Sequence, residues 1–209
     1  MKDYTIKQLQ ESDAEKFCEL IIDMYGHLDT PEWFSPMPYD IDSVKGMINN
    51  PRFYIVGLWD SDRLVGVSSL DYKCGKLIGK IDFPADCDVA KLVEIGFNIV
   101  HSDYRGNGLM KMLLDAVIEH ATLLGYTWIF AKVHNDNIAS YRSIESKGLT
   151  KYCSYLKPID KVEFENLAKQ PFFSKIGRAN AMQTLKKYNN EAQIITTYNI
   201  YIRKINSIE

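Results

Sequence analysis

The sequence predicts an α/β fold, a mixed central sheet with helices on both faces. Three observations lead there. Segments with a two-residue apolar period alternate along the chain with segments of helical period. Residues 91–100, KLVEIGFNIV, form the most regular strand pattern. An amphipathic stretch over 109–124 then closes at Gly125 and leads directly into an apolar segment at 126–133, the strand–helix–strand order of a parallel pair.

The elements follow in order. Residues 4–9 alternate as a first strand. Ser12 and Glu15 match a capping box opening a helix with Phe17, Leu20, Ile21 and Met24 on one face. Pro31, Pro36 and Pro38 keep the next stretch irregular, and a short helix fits 41–49. Segments 52–59 and 64–72 flank Asp60-Ser61-Asp62 and read as a hairpin. A less regular connection over 74–90 leads to strand 91–100. Strict alternation there puts Val93, Ile95, Phe97 and Ile99 on one face, and Glu94, Gly96 and Asn98 on the other. Helix 109–124 carries an apolar stripe of Leu109, Met112, Leu113, Ala116, Val117 and Leu124. A strand at 126–133, a helix at 138–147, and strands at 149–156 and 193–203 complete the sheet. Helices at 162–169 and 175–188 lie between the last two strands. The chain thus reads as one domain over 1–209 with a helical insert at about 157–190.

A length of 209 residues is enough for a sizeable core. Apolar residues make up 46% and charged residues 25%, the balance of an ordinary globular protein. A formal net charge of −2 exerts no general pull toward nucleic acid or an anionic membrane. No apolar run approaches the ~20 residues that span a bilayer. The first residues lack signal-peptide organisation, so the chain reads as cytoplasmic. Cys18, Cys74, Cys87 and Cys153 are scattered without a C-x-x-C pair, so neither a metal site nor a structural disulfide is expected.

The chemistry concentrates in Val100-His101-Ser102-Asp103-Tyr104-Arg105-Gly106-Asn107-Gly108-Leu109. A strand ends, a glycine-bearing turn follows, and an amphipathic helix begins. The first turn of a helix offers unpaired N–H groups and partial positive charge, which suit a phosphate. Glycines let the backbone approach it closely. Neither G-x-x-x-x-G-K-[ST] nor G-x-G-x-x-G is present. Downstream come His134-Asn135-Asp136-Asn137, a helix, and Lys147-Gly148-Leu149.

With Val100, Arg105, Gly108, Asn137, Ser140 and Lys147-Gly148-Leu149 at matching spacings, the chain resembles the GNAT superfamily of acyl-CoA-dependent N-acetyltransferases. The likeness is close over residues 94–149, rests on element order over 4–72, and barely covers 157–190. It implies splayed parallel central strands, acetyl-CoA as co-substrate, no metal, and acetyl transfer to a primary amine by direct attack. Backbone N–H groups of Phe97, Asn98, Ile99 and Val100 would meet the pantetheine, one of them serving as an oxyanion donor. Those of Arg105, Gly106, Asn107, Gly108, Leu109 and Met110 would hold the pyrophosphate, and Asn137 and Ser140 would line the far wall. Glu94, six residues before Val100, matches the catalytic glutamate of the histone-acetyltransferase branch.

Departures from the family pattern also stand in the sequence. Met110 replaces a Gly or Ala, and Leu149 an aromatic. Ile144 occupies the position of the family's tyrosine acid, as is common in the branch resembling ribosomal-protein N-terminal acetyltransferases. Tyr141, one turn earlier, is a candidate replacement. The acceptor, a small-molecule or peptide amine, would meet Tyr25, Trp33, Phe34 and Tyr39, aromatics set near prolines. The insert has enough apolar residues for a satellite core, a lid or a homodimer contact. An alternative reading is a coenzyme-A-binding sensor on the same fold with little catalysis.

Overall fold

The computed structural model describes residues 3–33, 36–74, 77 and 79–205. Seven strands form one mixed sheet in the order β1-β2-β3-β4-β5-β7-β6. They are β1 Tyr4–Gln8, β2 Phe53–Asp60, β3 Arg63–Asp71, β4 Leu92–Val100, β5 Trp128–His134, β6 Thr150–Asp160 and β7 Gln193–Lys204. Among the described residues only β4 and β5 pair in parallel, and every other neighbouring pair is antiparallel. The helices are α1 Ala14–Gly26, α2 Ile41–Ile48, α3 Leu109–Leu123, α4 Ile138–Glu145, α5 Lys161–Ala168 and α6 Lys175–Lys187.

The sheet is covered on both sides. α3 and α4 bury Val56, Val93, Ile95, Ile129 and Val133 with Leu113 and Val117 on one face. α1 and α2 bury Ile55, Leu64, Val67 and Ile99 with Phe17, Ile21 and Val44 on the other. Further along that second face, the irregular connection before β4 covers Leu92, Phe130 and Ile200 with Cys74 and Leu77. α5 and α6 form a satellite core on Ile159 and Ile194, at the tip of the β6–β7 hairpin.

Three local expectations change. The α1 entry is tied two residues earlier than the Ser12–Glu15 box: the Asp13 carboxylate accepts the Gln10 N–H at 2.9 Å across a 3₁₀ turn. β6 runs through Pro158 to Asp160, so the insert starts at Lys161 rather than at about 157. β6 is an edge strand, where a proline removes no ladder bond. The third change is in β4. Its register with β3 shifts between Ser68 and Leu70, a bulge at Gly96-Phe97. Val93 and Ile95 face α3, whereas Phe97 and Ile99 pack on the α1–α2 side. A Cβ on Gly96 would lie 2.5 Å from Ser69 Oγ, so the bulge depends on glycine at that position.

Candidate functional site

The parallel pairing of β4 and β5 runs from Leu92/Trp128 to Ile95/Ala131 and stops, while both strands continue. A cavity of about 610 Å³ opens where they part. Its walls are β4 at Asn98–Val100, the turn from Tyr104 to Met110, α4 at Asn137, Ser140 and Ile144, and the α1 end and following loop at Met24, Leu28 and Trp33.

The turn is shaped for close approach. Gly106 and Gly108 have φ of 80° and 75°, in the left-handed region that disfavours a side chain. A Cβ on either would meet no atom within 4 Å, so the space before the turn is open. Side chains of Asp40, Asn137, Asp160 and Ser174 cap α2, α4, α5 and α6. α3 starts at Gly108 with no side-chain cap, leaving its first N–H groups for a ligand. Arg105 Nε donates to the Val100 carbonyl at 3.2 Å, and Asn107 Nδ2 donates to the carbonyls of Tyr104 and Arg105, bracing the turn. The sequence did not point to Asp23. From α1 it accepts the Ser102 N–H at 2.8 Å and the Ser102 hydroxyl at 2.7 Å, joining two elements 79 residues apart.

The four β4 amides divide. His101 N–H donates to the Val65 carbonyl at 2.9 Å. Antiparallel alternation from that bond turns the Ile99 N–H toward β3, and those of Asn98 and Val100 into the splay. Phe97 N–H donates to Ser69 Oγ at 3.1 Å. Phe97 and Ile99 therefore leave the expected amide row, and Asn98 and Val100 remain. Leu109 is buried beside the turn, and Met110 is half-buried there, its side chain packed toward the α3 core.

On α4 the Asn137 side chain accepts the Ser140 N–H at 3.1 Å, so this pair is a helix cap as well as cavity wall. Ile144 faces the cavity. Tyr141 instead stacks on Tyr201 of β7, with ring centroids 6.5 Å apart, and is not among the cavity-lining residues. One turn of helix brought it near Ile144 in sequence, and the sheet draws it the other way.

Glu94 is 4% exposed and lies on the α1–α2 face, not in the cavity lining. Lys132 Nζ on β5 approaches its Oε1 at 2.6 Å. Its Oε2 is buried with no hydrogen-bond partner. Burial pushes the Glu94 carboxyl up, outweighing the attraction of Lys132. Lys157 of β6 lies over the Tyr198 ring at 4.6 Å, and burial brings its ammonium down to about 8. The signal for Lys132 was readable: a lysine interrupting the apolar run of a parallel strand. Among the described residues, no three His, Cys, Asp or Glu side chains gather as a metal ligand set.

The aromatic acceptor candidates separate. Trp33 lines the cavity, with its ring 6.2 Å from His134. Tyr25 is 1% exposed: its hydroxyl accepts the Met37 N–H at 2.7 Å, and its ring packs on Phe172 and Phe173. Tyr39 packs edge-on against Phe172. Both therefore hold the insert to the loop rather than walling the cavity. Phe34 lies outside the described residues.

An acetyltransferase (GNAT) domain model matches residues 4–150. The search of curated proteins found no match. Solved structures share the fold at low identity. An N-acetyltransferase from Staphylococcus aureus Mu50 superposes with a TM-score of 0.63 at 12% identity, covering 98% of this chain and 99% of its own. A Salmonella typhimurium structure that holds its cofactor acetyl-CoA gives 0.63 at 16%, covering 98% and 95%. A ribosomal-protein-alanine N-acetyltransferase from Brucella melitensis gives 0.61 at 15%, covering 96% and 99%. The chain belongs to the GNAT acetyltransferase family.

Proposed function

We propose that this GNAT-family chain works as one domain that moves an acetyl group from acetyl-CoA to a primary amine. The observation that carries the reading is the uncapped start of α3 behind two left-handed glycines, facing a cavity at the splay of β4 and β5. When bound, acetyl-CoA supplies the thioester carbonyl that a neutral amine attacks. The N–H groups of Gly108, Leu109 and Met110 hold its pyrophosphate, with Arg105 and Gly106 beside them. The Asn98 and Val100 N–H groups bind the pantetheine and face the thioester oxygen. Asn137 and Ser140 line the opposite wall.

Glu94 accepts the amine proton, directly or through one water. A buried carboxyl with a raised pKa and one unengaged oxygen suits that task. Trp33 borders the acceptor. The Salmonella structure with acetyl-CoA supports the choice of cofactor. A coenzyme-A-binding sensor is the second reading, favoured by one observation: Ile144 holds the cavity wall and Tyr141 turns away, so neither offers a proton to the departing thiolate.

Calorimetry with acetyl-CoA, joined to thiol release over a panel of amines, tests both. Binding with turnover on at least one amine is expected, and binding without any turnover decides for the sensor. Glu94→Gln should lower kcat roughly 100-fold, most at low pH where the free amine is protonated. An unchanged pH profile would remove Glu94 from the mechanism.

A further inference from the structure

Lys132 is the first β5 residue past the last parallel pair, Ile95/Ala131, so it stands at the crotch of the splay. Its side chain shares the α1–α2 face with Glu94, one residue before the crotch on β4. The Lys132 ammonium engages one Glu94 oxygen at 2.6 Å and leaves the other buried and unpartnered. Buried acceptors are almost always paired, with protein or with water, so Oε2 is where a hydrogen from water or a ligand would enter. One oxygen held by Lys132 and the other buried without a protein partner suits a carboxylate that takes a proton.

We infer that Lys132 is a positioning residue, which holds Glu94 by Oε1 and presents Oε2 to the amine. The proposal rests on Glu94 as the proton acceptor. Lys132 also sets when Glu94 can act, because a cation at contact favours the ionised carboxyl against its burial. The remaining charges around Glu94 are fixed from the other packed elements. Asp71, opposite it on β3, is paired with Arg52. Lys157 and Tyr155 approach from β6, and Cys74 from the connection after β3. Lys157 lies over the Tyr198 ring at 4.6 Å, and Lys132 contacts Glu94 directly.

Carbon-13 NMR on glutamate-labelled protein reads the effect without knowledge of the acceptor. The Glu94 carboxyl resonance is assigned by its loss in Glu94→Gln. In Lys132→Met, or in Lys132→Gln should the first not fold, its titration midpoint should rise by at least about one pH unit. Lys132→Arg should keep it near wild type. With the best amine of the panel, the acid limb of the kcat profile should move upward with the midpoint, while the KM for acetyl-CoA stays within about twofold. A midpoint unmoved in Lys132→Met overturns the positioning role, whatever Glu94 does. Wild-type turnover in Glu94→Gln overturns Glu94 as base, and with it the catalytic purpose of the pair. Lowered but measurable activity in Lys132→Met with an unmoved acid limb would overturn the positioning role and mark Lys132 as structural only.

Discussion

The two walls of the cavity are built by different kinds of interaction. The wall carrying the α3 turn comes from one contiguous run, β4 through α4. Its decisive features are local: glycines at positive φ, an uncapped helix start, a helix cap at Asn137. The wall on the α1 side is assembled from distant parts. Asn180 of α6 donates to the Asp29 carbonyl at 2.6 Å across 151 residues, and Thr184 donates to Glu32. Phe172 and Phe173 pack on Tyr25, and Phe172 also on Tyr39. The two walls can therefore be altered separately. The insert, expected as a satellite core, a lid or a homodimer contact, forms a satellite core and also holds the α1 end and the loop after it at Tyr25, Asp29 and Glu32.

The largest effect of a single substitution is expected at the local wall. Gly108→Val should weaken acetyl-CoA binding roughly 100-fold by calorimetry, the loss of about two hydrogen bonds to a charged ligand. Because the protein itself leaves open space there, the fold should lose only the ~1–2 kcal/mol of a left-handed residue. Near-normal affinity would mean that the turn does not hold the pyrophosphate.

A smaller effect should come from the assembled wall. A Cβ on Gly177 would lie 2.3 Å from the Leu28 carbonyl oxygen. Gly177→Ala should therefore cost about 1–3 kcal/mol in thermal melts and push the loop outward. Its KM for the amine should rise several-fold while acetyl-CoA affinity stays within about twofold. Equal losses on both sides would dissolve the separation of the walls.

The smallest effect sharpens the charge balance near Glu94. Folded Lys157 releases its proton at about 8, against 10.5 for an ordinary lysine. Between those values the unfolded chain binds more protons, so stability rises with pH. Lys157→Met should melt a few degrees above wild type at pH 7, with the gap narrowing by pH 10. A gap that does not change with pH would show that packing, not charge, sets it.

Much of the fold was legible in the residues. The order of strands and helices, the hairpin at Ser61-Asp62 and the α3 turn all follow from period, capping and glycine placement within a few residues. Those signals are short-range, and tertiary structure did not override them. β4 marks where they run out. Gly96 was a visible cue for a bulge, yet only pairing with Ser69 on β3 turns Phe97 and Ile99 to the α1–α2 face and takes the Phe97 amide. The same holds for Tyr141, drawn to Tyr201, and for Tyr25 and Tyr39, drawn to the insert.

By itself the sequence determined the mixed α/β fold, the membership signature from Val100 to Gly148, and the glycine-bearing turn into α3. Each depends on residues near one another along the chain, where backbone preference and spacing decide. Tertiary structure alone decided which amides face the cleft, that Glu94 meets Lys132, and that the insert clamps the loop after α1. Those outcomes depend on register and on long-range burial, which become defined only when the sheet closes.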